Sequence, residues 1–212
     1  MSRALHLARG AIQASCAPGL NLIGVSGGAD SLALAIAAAT LPGSFGAVVI
    51  DHGLQAGSAE VAEHAAAQCR ELGLDPVQVI RVETSKDEDS ARKARYRAFE
   101  AAIIQHNAQT LMLAHTRDDQ AEQVLLGLLR GSGTRSLAGI PASRGPYRRP
   151  LLELSREQTE HICREAGLDF WEDPSNTDIG YRRNLIRHRI LPLLRAELGE
   201  HLPEALARTA SL

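Results

Sequence analysis

Ser26-Gly27-Gly28-Ala29-Asp30-Ser31 follows a short β-branched run containing Leu22, Ile23 and Val25, and leads into Leu32 to Ala39, rich in alanine and leucine. Strand, glycine turn and helix in that order can hold an anion. Backbone N–H groups at a helix start lack intrahelical acceptors and carry the positive end of the helix dipole, which suits phosphate. Gly27 and Gly28 allow the chain to turn at positive φ and a ligand to approach bare backbone, while Ser26 and Ser31 add hydroxyl donors. A Walker A loop would need a lysine that is absent here, and a dinucleotide fingerprint would need Gly-x-Gly-x-x-Gly, a spacing this segment lacks.

Two further strand ends carry chemistry. Ala47 to Ile50 reads as a buried strand that ends in Asp51-His52-Gly53-Leu54, and Thr110 to Ala114 is an apolar strand that runs into His115. After His115, the acids Asp118, Asp119 and Glu122 open a helix; Asp118 and Glu122 share a face and Asp119 is turned away by one residue. Acids at a helix start are by themselves ordinary dipole partners. Beside His115, and at the same sheet edge as Asp30 and Asp51, they read as part of a site whose carboxylates could hold magnesium on phosphates or grip an amino group. On the helix that runs from Ser90 to Asn107, Arg92, Arg95 and Tyr96 fall within about one turn.

These side chains must be positioned by alternating strands and helices. Helical periodicity over Leu5 to Ile12 ends at Pro18-Gly19, and helices are also predicted over 59–72, with Gly73 as a C-cap, and over 90–107, with Ser90 as N-cap. A third strand is predicted over 77–82 and a charged loop over 84–89. Four strand-helix repeats predict an α/β fold, a doubly wound parallel sheet with ligands at the carboxyl ends of the strands. Beyond Gly131-Ser-Gly the pattern changes: 137–150 is rich in Gly, Pro, Ser and Arg and reads as loop, Ser155 reads as the N-cap of a helix through Glu165, and another helix follows over 190–197. The organisation expected is a nucleotide-binding core over 1–136 and a loop-and-helix extension over 137–212 that contributes to the catalytic domain.

Composition limits the function classes. The 212 residues carry a net charge of -2 and 44% hydrophobic residues, so any nucleic-acid contact must be local rather than a property of the whole surface. Three scattered cysteines, Cys16, Cys69 and Cys163, give neither a disulfide framework nor a Cys-x-x-Cys metal site, which fits a reducing cytoplasm. No stretch is long and apolar enough to span a bilayer, and Met1 to Cys16 lacks a signal-peptide core.

The Ser-Gly-Gly-Ala-Asp-Ser turn resembles the PP-loop of the ATP pyrophosphatase superfamily, which cleaves ATP to AMP and pyrophosphate. Taken with Asp51-His52-Gly53-Leu54, Ala91-Arg92-x-x-Arg95-Tyr96, His115-x-x-Asp118-Asp119-Gln120-x-Glu122, Arg149-Pro150-Leu151-Leu152 and Glu172-Asp173-Pro174-Ser175-Asn176 through Arg183-Asn184-x-Ile186-Arg187, the order of motifs is similar to that of the tRNA(Ile)-lysidine synthase family. The resemblance implies an enzyme that uses ATP and magnesium to adenylate C2 of the wobble cytidine in the CAU-anticodon isoleucine tRNA, after which the amine of free L-lysine displaces AMP. It implies that Ser26, Gly27, Gly28, Ala29, Asp30 and Ser31 hold ATP, with Asp30 near phosphates and magnesium, and that Asp51 and His52 lie near the nucleoside. Arg95 would contact phosphate or the adenylated intermediate, and His115, Asp119 and Glu122 would line the pocket, the acids toward the lysine ammonium groups. Gln55 and Gln123 stand where the family often has arginine and threonine, which puts outer contacts in question.

The resemblance also implies C-terminal domains that help select the tRNA, and the chain ends inside an amphipathic helix without a stop signal, so those domains are expected to be missing. A homodimer is one option for assembly. Arg144, Arg148, Arg149, Arg182, Arg183, Arg187 and Arg189, with Tyr147, Trp171 and Tyr181 nearby, read as a tRNA surface of phosphate contacts and stacking, set against a basic face paired internally with the interleaved acids Glu153, Glu157, Glu160, Asp169, Glu172 and Asp173. Rival functions are a tRNA thiolase or amide-forming synthetase, and a nucleotide-binding module without catalysis.

Overall fold

The computed structural model describes residues 1–53, 57–82, 88–131 and 137–210. Leu54 and Gln55 of the Asp-His-Gly-Leu segment, most of the charged loop at 84–89, Ser132-Gly133 and the terminal Ser211-Leu212 lie outside the described residues.

Four parallel strands alternate with helices as the periodicity predicts. Strands β1 (Leu20–Val25), β2 (Ser44–Asp51), β3 (Val77–Arg81) and β4 (Thr110–Met112) are interleaved with helices α2 (Ala29–Ala39), α3 (Ser58–Glu71) and α4 (Glu88–Gln105), and β4 is followed by α5 (Arg117–Leu129). Helix α1 (Arg3–Ser15) precedes β1, capped by the Ser2 hydroxyl, which accepts from the Leu5 N–H. Helix α4 starts at Glu88, so Ser90 lies in its first turn rather than at its cap.

The region read as loop adds strands of its own. β5 (Ser143–Arg144) and β6 (Tyr147–Arg148) form a hairpin, and β6 pairs parallel to β4, giving a six-stranded sheet in the order β3-β2-β1-β4-β6-β5. Each hairpin strand is two residues long, too short to leave a period-2 pattern in the sequence. Beyond it come α6 (Arg156–Glu165), a 3₁₀ turn (Pro174–Thr177), α7 (Arg182–Leu185), a π-helical segment (Ile186–Ile190), α8 (Leu191–Leu198) and α9 (Leu202–Ala210).

The two faces of the sheet bury separate clusters because strand side chains alternate. Ile23, Val25, Ala47, Val49 and Met112 pack with α1, α2, α3 and α6, while Leu22, Val48, Leu111 and Leu113 pack with Phe99 and Ala102 of α4 and with Tyr147. Helix α2 is apolar nearly all round, with every residue from Ser31 to Ala38 buried, as expected of a central helix covered by others. At the start of β1, Asn21 is 2% exposed; its side-chain Oδ1 accepts from the Ala17 N–H at 3.0 Å and the Thr110 hydroxyl at 2.7 Å. Parallel register then brings Val25 level with Val49 and Ile23 level with Met112, so the loops after β1, β2 and β4 emerge along one edge.

Close packing at the other end of β2 rests on Gly46. A Cβ there would stand 2.6 Å from the Pro76 carbonyl oxygen and 3.0 Å from Leu22, and that carbonyl is fixed by the Ala47 N–H at 2.8 Å. Gly46→Ala is expected to destabilise the fold by about 1–3 kcal/mol through overpacking. Urea denaturation measures this, and an unchanged midpoint would mean that the Pro76 segment yields freely.

Candidate active site

The strand order reverses direction of growth between β1 and β4, and a crevice at their carboxyl ends is where open α/β sheets bind ligands. The turn after β1 is held by its own serines. The Ser31 hydroxyl donates to the Gly28 carbonyl at 2.9 Å and accepts from the Ser26 N–H at 3.1 Å, and the two hydroxyls stand 3.2 Å apart. Gly27 has φ 82°, the left-handed conformation that a side chain would strain. Its carbonyl accepts from the Trp171 N–H at 2.9 Å, so a segment far along the chain straps the turn from outside.

A cavity of about 720 Å³ opens over this turn. Ser26, Gly28, Asp30 and Ser31 line it from β1 and α2, Asp51 and His52 from β2, Arg92, Arg95 and Tyr96 from α4, and His115 from the end of β4. The structure therefore brings together on one wall most of the residues that the strand-end reasoning picks out. Trp171, Asp173, Ser175, Asn176 and Tyr181 close it from the C-terminal side. Arg92 stacks over Tyr96, its guanidinium carbon 5.2 Å from the ring centre.

The electrostatics of the wall are uneven. Burial pushes the Asp30 carboxyl up to about 6, opposed by the Arg156 guanidinium and the Thr159 hydroxyl. Burial pulls the His115 imidazole down to about 4 despite nearby Asp119, so it is neutral at pH 7. Burial and Arg95 likewise lower His52. Burial opposes ionisation of Asp51, but hydrogen bonds from Ser58 and from the Gly53 N–H prevail and lower it. Among the described residues, His52 Nδ1 and His115 Nδ1 are buried without a hydrogen-bond partner.

Behind His115 stands a cluster of ion pairs. Glu122, its side chain 1% exposed, accepts from Arg183 Nε at 2.7 Å and from Arg187 Nε at 2.6 Å. Asp119 Oδ1 lies 3.3 Å from Arg183, 3.4 Å from Arg187 and 3.8 Å from Arg156, while Oδ2 accepts from the Thr116 N–H at 2.8 Å. Burial works against the Asp119 charge, yet Arg183 and the other donors hold its carboxyl below the ordinary value.

Several sequence expectations need correcting here. Arg183 and Arg187 face inward onto Asp119 and Glu122 rather than outward, and their partners are not the acids interleaved with them in sequence. Arg149 is 5% exposed and donates to the Pro141 carbonyl at 2.8 Å, so it does not belong to an open basic face. Tyr147 is 7% exposed and packs edge-on against Tyr96, so it is a core residue and presents no stacking surface. Arg148 is half-buried, donating to the Gly145 carbonyl, and Arg182 is exposed. Trp171 lines the cavity, a position that the reading of it as a surface aromatic misses. Asp119 and Glu122 do not line the cavity; Glu122 reaches a substrate amine only if Arg183 or Arg187 releases it.

Arg156 and Thr159, both against Asp30, stand in no motif of the sequence. Only the Ser155 cap pointed to their helix, and nothing pointed to Asp30, 129 residues away from Thr159.

A family model described as "PP-loop domain" matches residues 10–194. The chain belongs to the PP-loop domain family. Two curated relatives of this PP-loop domain carry the name tRNA(Ile)-lysidine synthase. One, from Leifsonia xyli subsp. xyli, is 54% identical over 202 residues, covering 92% of this chain and 61% of that protein. The other, from Streptomyces coelicolor, is 48% identical over 211 residues, covering 92% and 60%. The PP-loop domain chain thus spans about three fifths of the length of these relatives.

Solved structures add the fold. The U34-tRNA thiolase NcsA from Methanococcus maripaludis, with its 4Fe-4S cluster, superimposes with a TM-score of 0.80 at 16% identity, covering 98% of this chain and 77% of that one. NMN synthetase from Francisella tularensis gives 0.53 at 14% identity, covering 79% and 69%.

Among the described residues, no three His, Cys, Asp or Glu side chains converge to hold a metal, and no helix is long and apolar enough to cross a membrane. Asp30 is the one carboxylate on the Ser26-to-Ser31 turn, and a single carboxylate would suit magnesium that arrives on a triphosphate and keeps most of its own waters.

Two measurements test the PP-loop domain site. Arg187→Met leaves Glu122 with one partner in a closed setting and is expected to cost about 3 kcal/mol of stability, read by urea denaturation. A loss below 1 kcal/mol would show that Arg183 alone compensates the buried charge. The His115 value lies below its ordinary 6.5, so the unfolded chain takes up the proton first. Stability is therefore undiminished above pH 6.5 and falls as pH drops toward 4, by roughly 2 kcal/mol at pH 5. His115→Gln should lose correspondingly less stability between pH 7 and pH 5, and an equal loss would contradict a buried neutral imidazole.

Proposed function

We propose that this chain is the catalytic part of an enzyme that ligates L-lysine to C2 of the wobble cytidine in the CAU-anticodon isoleucine tRNA, with ATP consumed to AMP and pyrophosphate. The observation that carries the reading is one cavity in which the Ser26-to-Ser31 turn faces Arg95 and His115, with Asp119 and Glu122 behind. The names of the curated relatives support it.

The chemistry follows from the substrate. A cytosine C2 carbonyl is a poor electrophile. Its oxygen attacks the α-phosphorus of ATP, the bond to pyrophosphate breaks, and C2 then carries an AMP leaving group. The lysine amine adds to C2, the C–O bond to AMP breaks, and the amine proton passes to a base. The protein mainly positions reactants and stabilises charge. In this reading the Ser26, Gly27, Gly28, Ala29 and Ser31 turn cradles the phosphates, Asp30 would hold magnesium that arrives with them, and Asp51 and His52 lie beside the nucleoside. Magnesium bound there would draw electron density from the phosphates and ease departure of pyrophosphate. Arg95 faces the reacting phosphate, and neutral His115 donates or accepts one hydrogen bond at the base.

Asp119, with part of its side chain still accessible, is better placed than Glu122 to meet a lysine ammonium. Arg182 and Arg148 remain as tRNA phosphate contacts, together with the exposed Arg92. The enzyme works in the cytoplasm, where unmodified tRNA and free lysine are both present. A thiolase would instead need reactive or ligating thiolates. Burial pushes the Cys69 and Cys163 thiols up to about 12, and both sit in the apolar core.

Incubating the full-length protein with ATP, magnesium, labelled lysine and unmodified isoleucine tRNA is expected to put label into RNA. Absence of label would refute the reading, and pyrophosphate release without label would indicate a different acceptor. Asp30→Ala should lower transfer by roughly 100-fold or more while tRNA affinity stays within about 3-fold. Lost tRNA affinity would assign Asp30 to folding rather than chemistry.

A further inference from the structure

Helix α6 sends two side chains onto Asp30. Its first turn is fixed by a capping box, the Ser155 hydroxyl accepting from the Gln158 N–H and the Gln158 side chain accepting from the Ser155 N–H at 2.8 Å. The Arg156 N–H donates to Asp118 Oδ2 at 2.8 Å, which ties this helix start to α5. Arg156 and Thr159 are three apart and so share a face.

Thr159 is fully buried, its hydroxyl 2.5 Å from Asp30 Oδ1 and 2.7 Å from the Arg156 carbonyl. A hydroxyl has one proton, and the Arg156 carbonyl and an ionised Asp30 both only accept, so the two compete for it and the charged Oδ1 is the stronger acceptor. The Arg156 guanidinium stands 3.5 Å from Asp30 Oδ2 and 3.8 Å from Asp119 Oδ1. One carboxylate oxygen is thus held tightly, and the other keeps a lone pair for a further contact. One turn later, Cys163 Sγ donates to the Ala29 carbonyl at 3.3 Å, so α6 also fixes the backbone beside Asp30.

We propose that Thr159 and Arg156 are positioning residues for ATP cleavage: Thr159 fixes the rotamer of Asp30, and Arg156 links the nucleotide half of the site at Asp30 to the acid half at Asp119. The proposal rests on the lysidine-forming reading above for its substrate, but its test is read on ATP. Thr159→Val preserves shape and removes the hydroxyl, whereas Thr159→Ser preserves the hydroxyl and removes a methyl group. A packing role and a positioning role therefore give opposite patterns.

Kinetics of pyrophosphate release by the full-length protein, with ATP, magnesium and isoleucine tRNA, separate the two. Thr159→Val is expected to lower kcat at least about 10-fold with KM for ATP changed less than about 3-fold, and Thr159→Ser to remain within about 3-fold of the parent. Wild-type kcat in Thr159→Val, or equal damage in Thr159→Ser, overturns the role. If Thr159→Val does not fold, Arg156→Gln decides: a kcat loss at nearly constant KM for ATP supports the link, and wild-type kcat overturns it.

A crystal structure of Thr159→Val, or of Arg156→Gln in that event, gives a readout independent of activity. An Asp30 carboxylate turned to another rotamer is expected, and an unchanged one overturns the proposal. Pyrophosphate release without lysine transfer by the parent would refute the lysidine reading and leave this test intact. If the parent released no pyrophosphate, the rotamer alone would decide.

Discussion

Glu122 is a carboxylate closed off from solvent, and a buried charge persists only if opposite charge and hydrogen bonds replace the water it lost. Three guanidiniums do this for Glu122, Asp119 and Asp30 together: Arg183 and Arg187 from the chain after α6, and Arg156 from α6 itself. The remainder of the site depends on that exchange. Neither the acids on α5 nor the arginines more than sixty residues later are tolerable in place without the other. The C-terminal segment is therefore drawn onto the sheet edge by charge as well as by the small apolar contact among Ala121, Ile186 and Leu191.

The same segment braces the Ser26-to-Ser31 turn. Trp171 bonds the Gly27 carbonyl, Gln68 of α3 donates to the Asp169 carbonyl at 2.7 Å, and Asn184 holds the Ser175 and Asp178 carbonyls at 2.9 Å. These bonds stretch the chain between α6 and α7 across the cavity mouth. The π-helical turn carrying Arg187 follows directly, and a π turn costs regular helix geometry, so it persists where side-chain contacts repay it. Here they are the contacts of Arg187 with Glu122 and Asp119.

The parallel sheet was legible because its strands are apolar, bounded by glycine and proline, and separated by helical periods. Ser26 to Ser31, Asp51, His52, Arg95 and His115 were legible as a group because a doubly wound sheet sends the ends of its strands to one edge. The hairpin of β5 and β6 was not, since two residues per strand carry no period. Arg183, Arg187 and Arg149 read as an outward basic face because sequence shows which charges are near in the chain, whereas their partners are set by long-range packing. Thr159 left no trace for a related reason: a threonine in the first turn of an amphipathic helix is unremarkable until that helix is laid against α2.

The cavity also explains why its titratable groups differ so much from one another. Asp30, with burial unrelieved by backbone N–H donors, is pushed up to about 6, while Asp51 keeps a low value through the Ser58 and Gly53 bonds. His115 is forced neutral, although it sits between a carboxylate and several guanidiniums, because desolvation outweighs the field of Asp119. Among the described residues, the carboxylates that line this space are Asp30 beside the turn, Asp51 at the end of β2 and Asp173 on the C-terminal side, with Arg92 and Arg95 on α4. On the proposed reading the asymmetry would sort ligands by charge, with phosphate at the amides and guanidiniums and a cation at Asp30. A base that is neutral overall fits against imidazoles that carry no charge of their own.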